Sequence, residues 1–175
     1  MRHFVCLMDA LNRIVTGIVA ALLAVVATAV MVQVLVRFVL TAAGINISAP
    51  WTEELARYTL IWMVFLGAAV GVRHARMIAL EFGIRKLPPR GGIPVKYAVT
   101  LLCIAFFGLL FVVGVDFLAL GRTETSPVLG ITKDWVYLAM PVGMVLMILN
   151  SLALIAETLV EGRDLRFASD FAPED

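Results

Sequence analysis

Four long apolar segments constrain the fold of this chain more than any other feature of its sequence. They cover residues 14–36, 55–72, 97–120 and 135–156, and a helix needs about 20 mostly apolar residues to cross a bilayer. Of the 175 residues, 62% are apolar and 15% are charged, whereas soluble domains average about 45–50% and about 25%. Too few polar residues remain to cover a soluble domain. We therefore predict an all-α membrane protein, with one four-helix transmembrane domain over residues 1–175.

The first apolar segment also has features of a secretory signal, because Ala27-Thr28-Ala29 resembles a cleavage site. However, its apolar run continues to Val36, and the apolar core of a signal peptide is only about 7–15 residues long. We expect this segment to be retained as a membrane span.

The basic residues predict the orientation of the chain. Most of the 14 Lys and Arg residues lie on the side of the spans that holds both termini. The exceptions are Arg37, Arg57, Arg122 and Lys133. Because cytoplasmic segments are enriched in Lys and Arg, we predict that both termini are cytoplasmic.

The start of the second span carries several residues that can fix a helix end. Ser48 can cap the helix, and Glu53 and Glu54 follow where carboxylates complement the helix dipole. Glu53 and Arg57 have the i, i+4 spacing of a helical ion pair. Two interpretations remain open, an anchored helix end at the membrane surface and a docking edge for another protein.

Small and polar residues within the spans predict helix packing. Gly67 and Gly71 form a small-xxx-small pattern that permits close approach of another helix, in this chain or in a partner. Gln33 and Asn150 are expected to form hydrogen bonds between helices.

Asp116 is the one acid inside a predicted span, about one turn from the outer end of the third helix. We expect a structural ion pair with Arg37 or Arg57, which have a similar predicted depth. The alternative is a proton or ion site, which would normally recruit further polar groups.

The connection between the second and third spans predicts a short amphipathic helix at the cytoplasmic face. Its apolar residues recur at helical spacing among basic residues: Met77, Leu80, Ile84 and Leu87. Pro88-Pro89 would end this helix. A solvated loop is the alternative.

The sequence lacks the motifs of an enzyme. It contains no phosphate-binding glycine loop, nucleophile elbow or zinc-ligand spacing. Its two cysteines, Cys6 and Cys103, are too few for a disulfide framework, and the net charge of +1 does not favour nucleic-acid binding. We expect no catalytic, cofactor, metal or substrate site on this chain.

Two stretches resemble the small membrane subunit of the tripartite ATP-independent periplasmic (TRAP) transporters. The first is WTEELARY over residues 51–58, followed by Trp62 and by FLGA over residues 65–68. The second comprises WVY at residues 135–137 and PVG at residues 141–143. Four spans with both termini inside is also the topology of that family.

The resemblance implies a bacterial inner-membrane system of three parts. A periplasmic binding protein would deliver an organic acid to a large membrane subunit, which would carry the acid together with sodium. This chain would pack against the large subunit as a fixed scaffold, in contact with membrane lipids, and sodium would bind to the large subunit. Its outer loops, 37–54 and 121–134, would lie where the binding protein docks. The candidate contact or structural residues are Trp51, Glu53, Glu54, Arg57, Trp62, Gly67, Gly71, Asp116, Arg122 and Lys133.

Two other functions with a similar architecture are less compatible with the sequence. A membrane anchor of a respiratory complex would be expected to carry haem-ligating histidines within its spans, but His3 and His74 lie outside them. A small four-span antiporter needs a carboxylate in its first helix, and residues 14–36 contain none.

Overall fold

The computed structural model describes residues 2–40, 44, 49–74 and 89–161, and this part of the chain is almost entirely helical. The helices are α1 (Arg2–Val34), continued by a π-helical segment (Leu35–Leu40), α2 (Pro50–Arg73), α3 (Pro89–Gly121), the short α4 (Asp134–Tyr137) and α5 (Ala139–Glu161). Four spans are long and apolar enough to cross a membrane, the last of them running from α4 into α5. The prediction of an all-α protein with four membrane helices is therefore confirmed. The predicted amphipathic helix lies outside the described residues.

Most of the helices extend beyond the apolar segments from which they were predicted. The first helix begins at Arg2 rather than at residue 14, and the third begins at Pro89 rather than at residue 97. Hydropathy locates only the part of a helix that needs lipid, whereas backbone hydrogen bonding continues through polar turns. As a result, α1 includes polar residues that precede the first apolar segment, such as Asp9 and Asn12.

The first turn of α2 is described from Ala49 onward. The helix begins at Pro50, and Ala49 occupies the N-cap position without a side-chain hydrogen bond. Ser48, the predicted cap, lies outside the described residues. The hydroxyl of Thr52 donates to the carbonyl oxygen of Ala49 at 2.7 Å.

Helix α5 lies at the centre of the bundle. It contacts α1, α2 and α3, whereas α3 contacts only α4 and α5 within the described part of the chain. Half of the most apolar stretch of the last span is buried, compared with 6% for the first span and 11% for the third. Helices α1 and α3 therefore present most of their apolar side chains outward.

The core lies where α2 and α3 pack against α5. It contains Ala69 and Val72 from α2, Phe107 from α3, and Met144 and Met147 from α5. Bringing these side chains together excludes lipid and gives the close packing that holds membrane helices together.

Helices α2 and α5 approach each other closely at Gly143, which is not one of the two glycines predicted from the sequence. A Cβ atom at Gly143 would lie 2.8 Å from Cβ of Phe65 and 3.2 Å from its carbonyl oxygen. A Cβ atom at Gly67 would lie 3.9 Å from the nearest atom, in Val19 of α1, and one at Gly71 would have no neighbour within 4 Å among the described residues. Within the described chain, Gly67 therefore lies at ordinary contact distance from α1 and Gly71 faces open space, and the packing of either glycine on a partner stays a prediction.

The two ends of the bundle are distinguished by the residues they contain. The terminal end comprises residues 2–12, 73–74 and 157–161, which the charge pattern predicts to be cytoplasmic. The hairpin end comprises residues 35–40, 49–54 and 121–135, predicted to be periplasmic. Each end contains polar contacts between segments that are distant in sequence.

Candidate functional site

A buried arginine joins three helices at the terminal end. The side chain of Arg73, at the end of α2, is only 2% exposed. Its Nε and Nη2 atoms donate to Oδ1 of Asp9 in α1 at 2.9 and 2.6 Å, and its Nη1 donates to Oε2 of Glu157 in α5 at 2.7 Å. The rigid guanidinium fork can satisfy both carboxylates at once. This Arg73 cluster fixes α1, α2 and α5 relative to one another.

A second set of hydrogen bonds joins the same three helices, about one helical turn from the Arg73 cluster along α1 and α2. The amides of Asn12 and Asn150 exchange two hydrogen bonds, of 2.6 and 2.9 Å. Asn150 also donates to the carbonyl oxygen of Ala69 in α2 at 2.7 Å, and its side chain is fully buried. The prediction that Asn150 bonds between helices is confirmed. Gln33, by contrast, forms no side-chain hydrogen bond with the described residues.

At the hairpin end, Glu54 connects α2 to the loop between α3 and α4. Its Oε2 atom accepts a hydrogen bond from the backbone N–H of Leu129 at 2.9 Å, and its Oε1 atom accepts one from the hydroxyl of Tyr58 at 3.1 Å. Trp62, also in α2, donates from its indole to the carbonyl oxygen of Trp135 at 3.1 Å. Two side chains of α2 thus hold the chain before the last span: Glu54 binds the loop at Leu129, and Trp62 binds the start of the span at Trp135.

The loop itself forms a compact turn, here called the 122–133 hairpin. Its two arms meet in a short antiparallel bridge between Thr125 and Thr132, and Gly130 supplies the left-handed backbone conformation, with φ of 66°. The ammonium group of Lys133 donates to Glu124 at 2.9 Å. This hydrogen bond, together with the opposite charges, lowers the pKa of Glu124 and raises the pKa of Lys133.

The predicted ion pair of Glu53 and Arg57 is present, with a distance of 2.8 Å. Both side chains are largely solvent- or lipid-accessible, at 59% and 65% exposure. Glu54 does not take part in this pair, since its carboxylate binds Leu129 and Tyr58 instead. The acids that the sequence grouped together therefore have separate roles.

Asp116 lies away from both of its expected partners. Its side chain is exposed on α3 and forms no ion pair with any described residue. Arg57 is held by Glu53 on α2, and the backbones of α2 and α3 do not approach each other closely within the described part of the chain. The prediction that Asp116 pairs with Arg37 or Arg57 is wrong.

Two other residues named from the sequence, Trp51 and Arg122, are exposed at the hairpin end. Neither side chain forms a hydrogen bond or ion pair with the described part of the chain. They are available to lipid, water or another protein.

The sequence reasoning missed the residues that join the helices at the terminal end: Asp9, Asn12 and Arg73, with Glu157. In the sequence, Arg73 directly follows the second apolar segment and Asp9 precedes the first. The sequence did contain a signal for this cluster. Asp9, Arg73 and Glu157 flank the predicted spans on the same side of the membrane, and charged groups at membrane depth need partners.

These clusters position helices rather than perform chemistry. Every charged group in the Arg73 cluster is paired, and the two asparagines satisfy each other. Among the described residues, no group of three or more His, Cys, Asp or Glu side chains is arranged to hold a metal ion.

Comparison with known families agrees with this architecture. Residues 26–161 match the family described as "Tripartite ATP-independent periplasmic transporters, DctQ component". The match covers most of the chain, from the last third of α1 to the end of α5. The chain belongs to the DctQ family of TRAP transporter components. Membership of this transport family, with four apolar helices, indicates a non-enzymatic, multi-pass component of the inner membrane.

Individual TRAP relatives are distant in sequence. The sialic acid TRAP transporter small permease protein SiaQ of Vibrio cholerae is 25% identical over 108 residues, which are 62% of each chain. A putative TRAP transporter small permease protein of Haemophilus influenzae is 24% identical over 139 residues, 79% of this chain and 80% of its own length. The C4-dicarboxylate TRAP transporter small permease protein DctQ of Rhodobacter capsulatus is 32% identical over 113 residues, 61% of this chain and 47% of its own length. The chain therefore spans less than two thirds of the Vibrio and Rhodobacter relatives.

Proposed function

We propose that this chain is the small scaffold subunit of a sodium-coupled TRAP transporter and that it packs against the large transport subunit. The observation that carries the proposal is that buried polar side chains form hydrogen bonds to other helices of this chain and are not left free to bind a ligand. Arg73, Asn12 and Asn150 are all satisfied by ties between helices. In the described spans, Thr16 has the only buried side-chain oxygen without a hydrogen-bond partner. Secondary transporters place ligand-binding groups near the bilayer midplane, and a single hydroxyl is a poor substitute for such a site.

An organic acid is the proposed cargo of the complete transporter. The relatives from Vibrio cholerae and Rhodobacter capsulatus are named for sialic acid and C4-dicarboxylates, which are both acids. Their names support the class of solute and do not distinguish its members. Sodium and solute would both bind to the large subunit.

The 122–133 hairpin is the proposed docking element for the periplasmic binding protein. Glu54 fixes its middle and the Glu124–Lys133 pair closes its base, so it offers a preformed surface. Arg122 is exposed beside it. This role requires the hairpin end to face the periplasm and both termini to face the cytoplasm, as the distribution of basic residues predicts.

Transport by purified components tests the proposal. In liposomes with a sodium gradient and the binding protein, this chain alone should give no more organic-acid uptake than empty vesicles. Addition of the large subunit should restore uptake. Sodium-dependent uptake by this chain alone would contradict the scaffold function.

The orientation is tested separately by labelling single cysteines with a membrane-impermeant maleimide, after replacement of Cys6 and Cys103. A cysteine at position 128 should react in intact spheroplasts, whereas one at position 170 should react only after lysis. The reverse pattern would contradict the proposed docking side.

A further inference from the structure

Helix α3 has two faces of different character. The inward face packs on the bundle core through Cys103, Phe107, Leu110 and Phe111. The outward face is formed by a row of exposed residues, here called the α3 stripe: Leu102, Phe106, Leu109, Val113, Asp116 and Leu120. These residues alternate at spacings of four and three, which is the spacing that a neighbouring helix meets in left-handed packing.

Asp116 makes the α3 stripe unsuitable as a purely lipid-facing surface. It is flanked by exposed Val113 and Leu120 and lies five residues before Gly121, where α3 ends. At about 1.5 Å per residue, the carboxylate is roughly 7–8 Å inside the helix end. An aspartate side chain is too short to reach water as a lysine or arginine does. Ionisable side chains inside a membrane normally pair with one another or face protein.

The other exposed helices do not present this conflict. Between Arg13 and Arg37, α1 contains no charged residue, and its outward side chains suit contact with lipid acyl chains. On α2, the exposed charges of Glu53 and Arg57 neutralise each other. Arg37 is exposed where the first span ends, but its long side chain can reach the membrane surface. Among the described membrane helices, Asp116 is therefore the exposed acid that still requires a partner.

We propose that the α3 stripe is the surface on which a transmembrane helix of the large TRAP subunit packs, with a lysine or arginine of that helix opposite Asp116. The proposal rests on the scaffold function above and assigns the face that performs it. A second copy of this chain is a poorer occupant, because a two-fold symmetric contact centred on the stripe would bring two Asp116 carboxylates together. A helix bearing a cation satisfies both the charge and the apolar residues around it.

Site-specific photocrosslinking tests the location of this interface. The full chain is expressed with the large subunit, and benzoylphenylalanine is placed at Leu109 or Leu120 on α3, or at Val25 or Val30 on the exposed side of α1. We expect adducts with the large subunit from the two α3 positions and background levels from the two α1 positions. Adducts from α1 alone, adducts between two copies of this chain, or only lipid adducts from α3 would overturn the proposal.

Substitution of Asp116 tests the charge itself. Asp116→Lys should reduce the amount of large subunit that co-purifies in mild detergent by about tenfold or more, because like charges would face each other. Asp116→Glu should retain most of the large subunit. Thermal unfolding of the isolated chain should not change, since Asp116 has no partner within its described part. Wild-type retention by Asp116→Lys would overturn the proposal.

The two proposals can fail separately. If the unmodified chain does not co-purify with the large subunit, the scaffold function and the assigned interface both fail. If it co-purifies but the α3 positions give no adduct with the large subunit, only the assignment of the interface to α3 fails.

Discussion

Replacing Arg73 by methionine tests how the terminal end of the bundle is held together. The substitution keeps much of the apolar length of the side chain but removes the guanidinium group that joins Asp9 and Glu157. It leaves two carboxylates without their cation in a partly buried site. We therefore expect a loss of stability without a change in the helices that form.

The magnitude follows from the burial of the three groups. Removing one partner of a buried ion pair costs about 3–5 kcal/mol. Asp9 and Glu157 retain 33% and 18% exposure, so water can partly solvate them after the substitution. We expect about 3 kcal/mol, at the lower end of that range, which corresponds to a rise of roughly 100-fold in the unfolded population. Asp9→Asn should cost only about 1 kcal/mol, because the pair with Glu157 remains and the amide oxygen can still accept a hydrogen bond.

Equilibrium unfolding in detergent micelles, with denaturing detergent added and helicity followed by circular dichroism, measures these differences. Arg57→Met is the matched control, since it removes the same side chain from the opposite end of α2. The Arg57–Glu53 pair is mostly exposed, and such pairs contribute about 0–1 kcal/mol. If Arg73→Met is no more destabilising than Arg57→Met, the argument from burial is wrong.

Three further predictions concern other contacts. Asn150→Leu should lower the unfolding free energy by about 2 kcal/mol, since three interhelical hydrogen bonds of about 0.6 kcal/mol each are lost. Adding Asn12→Leu should recover part of that loss in the same unfolding assay, because it removes the amide that Asn150→Leu leaves without its partner in α5. Gly143→Ala should lower the melting temperature because its methyl group would meet the backbone of α2, whereas Gly71→Ala should leave it unchanged or slightly raised. The lysine that lowers the pKa of Glu124 stabilises the hairpin where the carboxylate is charged. This contribution should be complete above the ordinary pKa of a glutamate and lost as the pH falls through the lowered pKa of Glu124. Hydrogen–deuterium exchange across the hairpin, corrected for intrinsic rates, would contradict this if it showed no acceleration in acid.

The parts of the fold that could be predicted depend on short stretches of sequence. The four membrane helices follow from local apolar length, because crossing lipid requires a continuous run of such residues. The pair of Glu53 and Arg57 also follows locally, since one helical turn brings them together whatever the rest of the chain does.

The parts that could not be predicted depend on which helix faces meet. Arg73 is 64 residues from Asp9 and 84 from Glu157, and nothing local distinguishes it from an ordinary flanking cation. Glu54 was expected to act on its own helix end, but its carboxylate binds Leu129, 75 residues later. The sequence predicts correctly that Asp116 lies near the outer end of the third helix, but it does not predict which side of the helix carries it. Depth can be counted from the sequence, whereas rotation about the helix axis is fixed by packing against α5.

The central position of α5 has a consequence for the order in which the protein is made. Synthesis proceeds from the N-terminus, so α1 and α2 enter the membrane first and can already join through Asp9 and Arg73. Helix α3 then emerges with no earlier helix to contact among those described, since its contacts are with α4 and α5. Within the described part of the chain, the helices that α3 packs on are therefore complete only after residues 134–161 have been synthesised. Assembly of the subunit is therefore completed by its last membrane segment, and a chain that stops before this segment would leave α3 unattached.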